Sequence, residues 1–257
     1  MQSLDHTEKQ KIRLIGMAAQ MVLENGGETY RVEETAMRMA GGLGLDDVNV
    51  VAFPTSIFVN VDGHSRIRRI TRRGTNTSRL ARINDVSRRV ERGELTPDEA
   101  EAALENISAD PGWKSVTLII AYGVSAASFS LLFGGTPGSL IVALLTGMLI
   151  QAIQPLFAHL AMGTLLFNFC GGFIGALLCQ LSSMIGAHLI DANTAIIGAI
   201  MPLLTGLLMT TAVRDTMYGD LISGIARAVD ALLIAGSVAL GVYSGLKLMA
   251  MLAGGML

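Results

Sequence analysis

Long apolar runs dominate the second half of this chain, whereas the first half alternates apolar and charged residues at short intervals. Residues 1–112 hold 15 Lys/Arg and 17 Asp/Glu, and residues 113–257 hold 4 of each charge. A spanning helix needs roughly 20 apolar residues, and five apolar stretches, most of them near that length, lie at 116–133, 140–153, 162–185, 194–213 and 225–252. The pattern predicts a soluble domain at 1–112, followed at 113–257 by an α-helical integral membrane domain of five transmembrane helices.

Shorter elements fill the amino-terminal part. Helical or alternating spacing of apolar residues predicts helices at 4–25, 29–43, 79–92 and 97–107, and strands at 49–54, 56–61 and 66–71. Asp62-Gly63 is a hairpin signal between the last two strands, and Thr96 with Glu99 has the spacing of a capping box for the last helix. The sequence therefore predicts a small α+β domain.

The orientation follows from the terminal segment and from the few cations. Charges interrupt every apolar run in 1–25, so no cleavable signal peptide is predicted and the α+β domain is expected in the cytoplasm. Five crossings put the two chain ends on opposite sides. Arg214 and Arg227 then fall in an inner loop, as the positive-inside rule requires, and the carboxyl terminus is expected outside.

The basic segment 66–92 holds ten Arg against Asp85 and Glu91. No aromatic residue separates those arginines, so the stacking platform of a single-strand nucleic-acid binder is missing. Lipid headgroups or solvent are the expected partners. His6 and His64 have no nucleophile or metal-ligand pattern around them, so neither an enzyme, a metal site nor a cofactor is predicted.

Charge re-enters the apolar half in one place. The group comprises Arg214, Asp215, Asp220, Arg227 and Asp230, all within 17 residues. Charged groups within spanning segments are costly and usually face a cavity or each other. Two interpretations stand: a cytoplasmic loop with a structural ion pair, or a polar site that binds a small charged solute.

A second polar group offers another place for a solute if that cluster is structural. It comprises Gln151, Gln154, His159 and Asn168. Small-residue seams at Gly171/Gly175 and Gly241/Gly245 predict close packing of the third and fifth helices against their neighbours.

Three sets of residues lie in a fixed order along the chain. They are 25–33 (NGGETYRVE), 84–87 (NDVS), and a last set of 214–216 (RDT), 219–220 (GD), 223–224 (SG) and Arg227. Together they resemble the bacterial threonine/serine exporter family over essentially the whole chain. The match resembles the split branch, in which this larger subunit pairs with a smaller membrane subunit. The resemblance implies an inner-membrane, proton-driven exporter of small amino acids that works as an oligomer with that partner or with copies of itself.

The same resemblance supplies further site residues. Thr205-Gly206 and Thr210-Thr211 stand where the family often has Pro-Gly and Thr-Asn, and Asp230 stands where it usually has Glu. The expected solute or ion site comprises Arg214, Asp215, Asp220, Arg227, Asp230, Thr205, Thr211 and Asn168. Because these departures change hydrogen-bonding groups, a dicarboxylate such as succinate, which a related branch exports, is the alternative solute.

A sensor or regulatory subunit is the alternative from another class. The soluble domain would then bind a ligand, and the helices would serve as an anchor. Five helices with buried charge are more than an anchor needs, so transport is the preferred hypothesis.

Overall fold

The computed structural model describes residues 6–61, 64–71, 74–157, 160, 163–186 and 189–254. Its contacts group the chain into two compact units. Unit 1 comprises Met1–Pro111 and Thr210–Ala228, and unit 2 comprises Gly112–Met209 and Val229–Leu257. The first boundary lies beside the predicted end of the soluble domain. By its contacts, segment 210–228 belongs to unit 1, whereas the sequence predicts it in the second domain.

Unit 1 contains a small α+β domain, as predicted. Its elements are α1 (His6–Glu24), α2 (Thr29–Gly42), β1 (Val48–Phe53), β2 (Ser56–Val61), β3 (His64–Arg69), α3 (Thr77–Glu91) and α4 (Pro97–Ala109). The strands form an antiparallel sheet in the order β1-β2-β3. β3 begins two residues earlier than predicted because its pairing with β2 continues to Val61 opposite His64. The predicted turn at Asp62-Gly63 lies outside the described residues.

The core of unit 1 lies between the helices and one face of the sheet. Ile15 of α1, Val32 of α2 and Ile57 of β2 are fully buried there. The predicted capping box is confirmed at α4, where Thr96 Oγ1 accepts from the Glu99 backbone N–H and the Glu99 carboxylate accepts from the Thr96 backbone N–H. Local sequence signals therefore define these helices, and apolar burial packs them together.

Unit 2 is helical. The remaining helices are α5 (Ser115–Leu132), α6 (Pro137–Phe157), α7 (Gly163–Ile185), α8 (Ala192–Ile200), a 3-10 turn (Met201–Leu203), α9 (Gly206–Met217) and α10 (Leu221–Gly254). Helices α9 and α10 contribute residues to both units. Four described helices, α5, α6, α7 and α10, are long and apolar enough to span a membrane.

The predicted fourth span is not one straight helix. The chain leaves helical geometry at Leu204, and the segment Ala192–Leu203 meets α9 at a bend of 50°. Pro202 contributes to the break because it has no backbone N–H to continue the helix. The described residues therefore give four spans, or five if the bent pair crosses as one; the exact number stays a prediction.

Small residues allow close helix packing within unit 2. A Cβ at Gly241 would lie 2.1 Å from the Phe169 carbonyl oxygen, and a Cβ at Gly245 would lie 2.8 Å from that of Phe173. The α10 seam is thereby confirmed as a close contact with the α7 backbone. The α7 seam is close at Gly171, where a Cβ would lie 2.9 Å from the Leu203 side chain. At Gly175 a Cβ would meet Ile200 at 3.4 Å, an ordinary contact distance.

Candidate functional site

The turn between α1 and α2 depends on two adjacent glycines. Gly26 has φ +89°, a left-handed conformation that glycine adopts without strain. A Cβ at Gly27 would lie 2.5 Å from the Val22 side chain. The segment 25–33 therefore makes a tight turn that directs the amino terminus of α2 towards the other residues of the site.

Asp215 of α9 caps α2 from a distant part of the sequence. Glu28, the N-cap residue of α2, provides no side-chain cap. Instead, the Thr29 backbone N–H donates to Asp215 Oδ1 at 3.1 Å, and Thr29 Oγ1 donates to Asp215 Oδ2 at 3.2 Å. A carboxylate at a helix amino terminus satisfies free N–H groups and interacts favourably with the helix dipole.

Arg227 of α10 completes this buried contact. Its Nε lies 2.9 Å from Asp215 Oδ2 as an ion pair, although the N–H direction does not meet hydrogen-bond geometry. Arg227 Nη2 also donates to the Gly27 carbonyl oxygen at 2.8 Å. Asp215 is fully buried and Arg227 nearly so. We call Gly27, Thr29, Asp215 and Arg227 the capping cluster.

A second ion pair lies beside the capping cluster. The Glu28 carboxylate pairs with Arg214 of α9 and, at 3.5 Å, with Arg31 of α2. The rings of Tyr30 and Tyr218 stack with centroids 4.1 Å apart. Residues of the two sequence motifs 25–33 and 214–227 therefore contact each other within unit 1 through hydrogen bonds, ion pairs and stacked rings.

The capping cluster leaves little room for a solute at Asp215. Its two oxygens already accept from Thr29 and face Arg227, and no part of the residue is exposed. A solute would have to displace these partners at the cost of an unpaired buried charge. In this arrangement the cluster joins α2 to α9 and α10.

Two further carboxyl groups stand near the cluster. Burial raises the pKa of Asp220 above its usual range, and the negative charge of Asp215 makes a smaller contribution in the same direction. Burial also raises the pKa of Glu33; a hydrogen bond from the Ala52 backbone N–H opposes the shift, and the charge of Asp220 adds to it. Both groups hold their protons at higher pH than free carboxyls do.

This pair predicts a pH dependence of stability. An acid with a raised folded-state pKa contributes stability at pH values below its unfolded pKa, and the contribution is lost as pH rises through the folded pKa. We expect the melting temperature to fall with rising pH over that window, and the slope to be smaller in Asp220→Asn and Glu33→Gln. Calorimetry across the pH range measures this, with exposed Asp46→Asn as the control. Equal slopes in all four proteins would contradict the assignment.

The remaining site residues predicted from the sequence lie elsewhere. Thr211 is half-buried in α9, and Asp230 is half-buried in the part of α10 that belongs to unit 2. Thr205 and Asn168 line a cavity within unit 2. The structure therefore brings together Arg214, Asp215 and Arg227 in unit 1 and places Thr205 and Asn168 at the cavity of unit 2.

The cavity has a volume of about 370 Å³, within the roughly 300–1,000 Å³ of typical small-molecule sites. Its described polar lining residues are Tyr122, Gln151, Gln154, Thr164, Asn168 and Thr205. None of the described lining residues is charged. Of the second polar group noted in the sequence, Gln151, Gln154 and Asn168 line this cavity, and His159 lies outside the described residues.

Helix interruptions surround this cavity. Phe157 ends α6, Gly163 begins α7, and Thr205 lies at the break before α9; all three line the cavity. Non-helical backbone within a membrane is tolerated where it is buried in protein or lines a water-filled cavity. Transporters build substrate sites from discontinuous helices of this kind.

Sequence reasoning missed two features of these places. Glu28 and Thr29 were quoted only as part of a motif, yet they contact Arg214 and Asp215. Tyr122 was not noted, although a tyrosine inside an otherwise apolar segment is a signal that its hydroxyl needs a partner.

Several membrane-length helices and a broken helix pair are features of a multi-pass membrane protein. The family model described as "Putative threonine/serine exporter" matches residues 13–249. The chain belongs to this threonine/serine exporter family.

Three relatives show how the chain compares in length. It is 23% identical over 227 residues to the "Threonine/serine exporter" of Corynebacterium glutamicum, and the match covers 85% of this chain and 46% of that protein. It is 25% identical over 254 residues to the "Probable threonine/serine exporter" of Mycobacterium tuberculosis, and the match covers 94% of this chain and 46% of that protein. It is 25% identical over 252 residues to the "Probable succinate transporter subunit YjjP" of Klebsiella aerogenes, covering 95% of this chain and 96% of that protein. No solved structure matches.

Proposed function

We propose that this chain is one subunit of an inner-membrane exporter of small polar metabolites, most simply amino acids of the threonine/serine type. The observation that carries the proposal is the family match over residues 13–249. The chain spans about half of the two exporters it matches but nearly all of the protein named as a transporter subunit. In this proposal, the partner is a smaller membrane subunit of the same family.

The energy source in this proposal is the proton gradient. Asp220 and Glu33 support it because the raised pKa of each carboxyl brings its proton exchange closer to neutral pH. The capping cluster supports coupling between the soluble α2 and the helices α9 and α10, because one buried carboxylate holds all three.

Succinate export is the second candidate, and the relative named as a succinate transporter subunit favours it. Whole-cell export separates the two. Cells that express this chain with a smaller subunit are fed a threonine-containing dipeptide or loaded with succinate, and the external metabolites are followed. We expect threonine or serine to leave faster than from cells with either subunit alone. Unchanged efflux of threonine, serine and succinate would contradict an exporter.

Topology is a separate prediction of this proposal. With the α+β domain in the cytoplasm and the bent pair crossing once, Ser65 of β3 and Met251 of α10 lie on opposite sides. In a background with Cys170 and Cys179 replaced, Ser65→Cys should react with an impermeant thiol reagent only from the cytoplasmic side, and Met251→Cys only from outside. Both residues are exposed, so reagent access is not limiting. Labelling of both from one side would contradict five crossings.

A further inference from the structure

A groove in the α+β domain lies between α2 and α3 and has a volume of about 320 Å³, within the range of small-molecule sites. Its lining includes Arg31 and Arg38 of α2 and Thr77, Asn84 and Arg88 of α3. Residues that are three, four or seven positions apart share one face of a helix, so each helix contributes one polar stripe. We call this site the arginine groove.

Arg38 is fixed in the wall of the arginine groove. Its Nη1 donates to Asn84 Oδ1 at 2.9 Å and to Ser87 Oγ at 3.3 Å. Its guanidinium also pairs with Glu34 and, at 3.5 Å, with Glu91. Because the Asn84 oxygen accepts from Arg38, the amide N–H groups of Asn84 remain as donors. Arg38 therefore positions a neutral donor, and two carboxylates already balance its own charge.

The other two guanidinium groups of the groove are less well balanced. Arg88 is exposed, and its side chain has no hydrogen bond or ion pair with any described residue. Arg31 is also exposed and meets Glu28 only at 3.5 Å, while Glu28 is shared with Arg214. The arginine groove therefore has positive charge on both walls that can pair with an anion.

Donors on two walls suit a phosphate group better than a carboxylate. The planar fork of a guanidinium binds either anion. A carboxylate has two oxygens in one plane, whereas a phosphate monoester has three terminal oxygens in a tetrahedral arrangement and a charge of about −1.5 to −2 at pH 7. Arg31 on one wall and Arg88 and Asn84 on the other offer donors to such an array from different directions.

We infer that the arginine groove binds a phosphate monoester group, carried either by a soluble metabolite or by a lipid headgroup. Arg31 and Arg88 bind the phosphate oxygens from opposite walls, and the Asn84 amide donates a further hydrogen bond. The inference goes beyond the proposed export function and does not depend on it, because all described lining residues of the groove belong to the α+β domain.

Arg88→Gln tests the site with little risk to the fold, because no described residue loses a partner. Titration calorimetry of the full chain in phosphatidylcholine nanodiscs measures binding of glycerol 3-phosphate. We expect the dissociation constant to rise about 10-fold through one lost charge-assisted hydrogen bond, with the melting temperature unchanged. Arg82→Gln is the matched control, since it removes the same charge from α3 outside the groove lining and should bind as the wild type does.

Two kinds of nanodisc distinguish the sources of the phosphate. One contains phosphatidic acid, and the other contains phosphatidylglycerol at matched charge. If a lipid headgroup occupies the groove, phosphatidic acid should weaken the binding of glycerol 3-phosphate by the wild type more than phosphatidylglycerol does. Equal affinity in both nanodiscs indicates a soluble metabolite.

The same titrations contain the results that would overturn the inference. Wild-type affinity in both Arg88→Gln and Arg31→Gln would overturn the site, as would equal weakening in Arg82→Gln or no binding of glycerol 3-phosphate in phosphatidylcholine nanodiscs. Succinate that binds as tightly as glycerol 3-phosphate would overturn the phosphate assignment. Absence of metabolite export from cells would overturn the proposed function and not the groove.

Discussion

Asp215→Asn is expected to abolish export and to destabilise unit 1, although the side chain hardly changes size. The substitution leaves Arg227 buried without its carboxylate and weakens the cap on α2. Removing one partner of a buried ion pair typically costs about 3–5 kcal/mol, a large part of the roughly 5–15 kcal/mol that stabilises a folded protein. Melting temperature and threonine efflux in the same preparation measure both effects.

A double-mutant cycle separates the ion pair from the cap. Arg227→Gln leaves Asp215 buried without its cation, so it should destabilise as well. The double variant Asp215→Asn/Arg227→Gln carries neither charge, and we expect its loss to be smaller than the sum of the single losses. Exposed Asp46→Asn should behave like the wild type. Wild-type stability and efflux in Asp215→Asn would contradict the role of the capping cluster.

Gly241→Leu is expected to prevent assembly of unit 2. A Cβ at Gly241 would already lie 2.1 Å from the Phe169 carbonyl oxygen and 2.9 Å from the Phe173 backbone nitrogen. Backbone atoms cannot move aside as a flexible side chain can, so α7 and α10 would have to separate and lose their packing. We expect at least about a 10-fold drop in monodisperse protein extracted by mild detergent, measured by fluorescence-detected size exclusion.

Gly236→Leu is the matched control on the same helix. Among the described residues, and apart from the neighbouring backbone of α10 itself, no atom lies within 4 Å of a Cβ at Gly236. Gly236→Leu replaces the same residue type on the same helix and changes helix propensity by the same amount. We therefore expect this variant to give as much monodisperse protein as the wild type. Equal yields of both variants would contradict the close α7–α10 contact.

Local signals in the sequence predicted the fold of the α+β domain well. The Thr96–Glu99 capping box, the strand 56–61 and the start of α2 at Thr29 appear as expected, because each depends on residues close in sequence. The predicted fourth span is a bent helix pair in the structure, and the number of crossings stays a prediction, since hydropathy reports composition and not backbone geometry. Pro202 and Gly206, which can interrupt a helix, are the sequence signals of that break.

The capping cluster was beyond sequence reasoning for a different reason. Asp215 and Thr29 are 186 residues apart, and no local rule pairs a helix amino terminus with so distant a carboxylate. The charge pattern did identify Asp215 and Arg227 as residues needing partners. It did not reveal that Thr29 and Gly27 are among them.

Reconstituted efflux tests the central claim most directly. Proteoliposomes holding this chain and a smaller subunit are loaded with radiolabelled threonine, and an inward proton gradient is imposed. The account predicts threonine release that the gradient accelerates and that Asp215→Asn abolishes. Release no faster than from liposomes without the two proteins, with serine giving the same result, would contradict it.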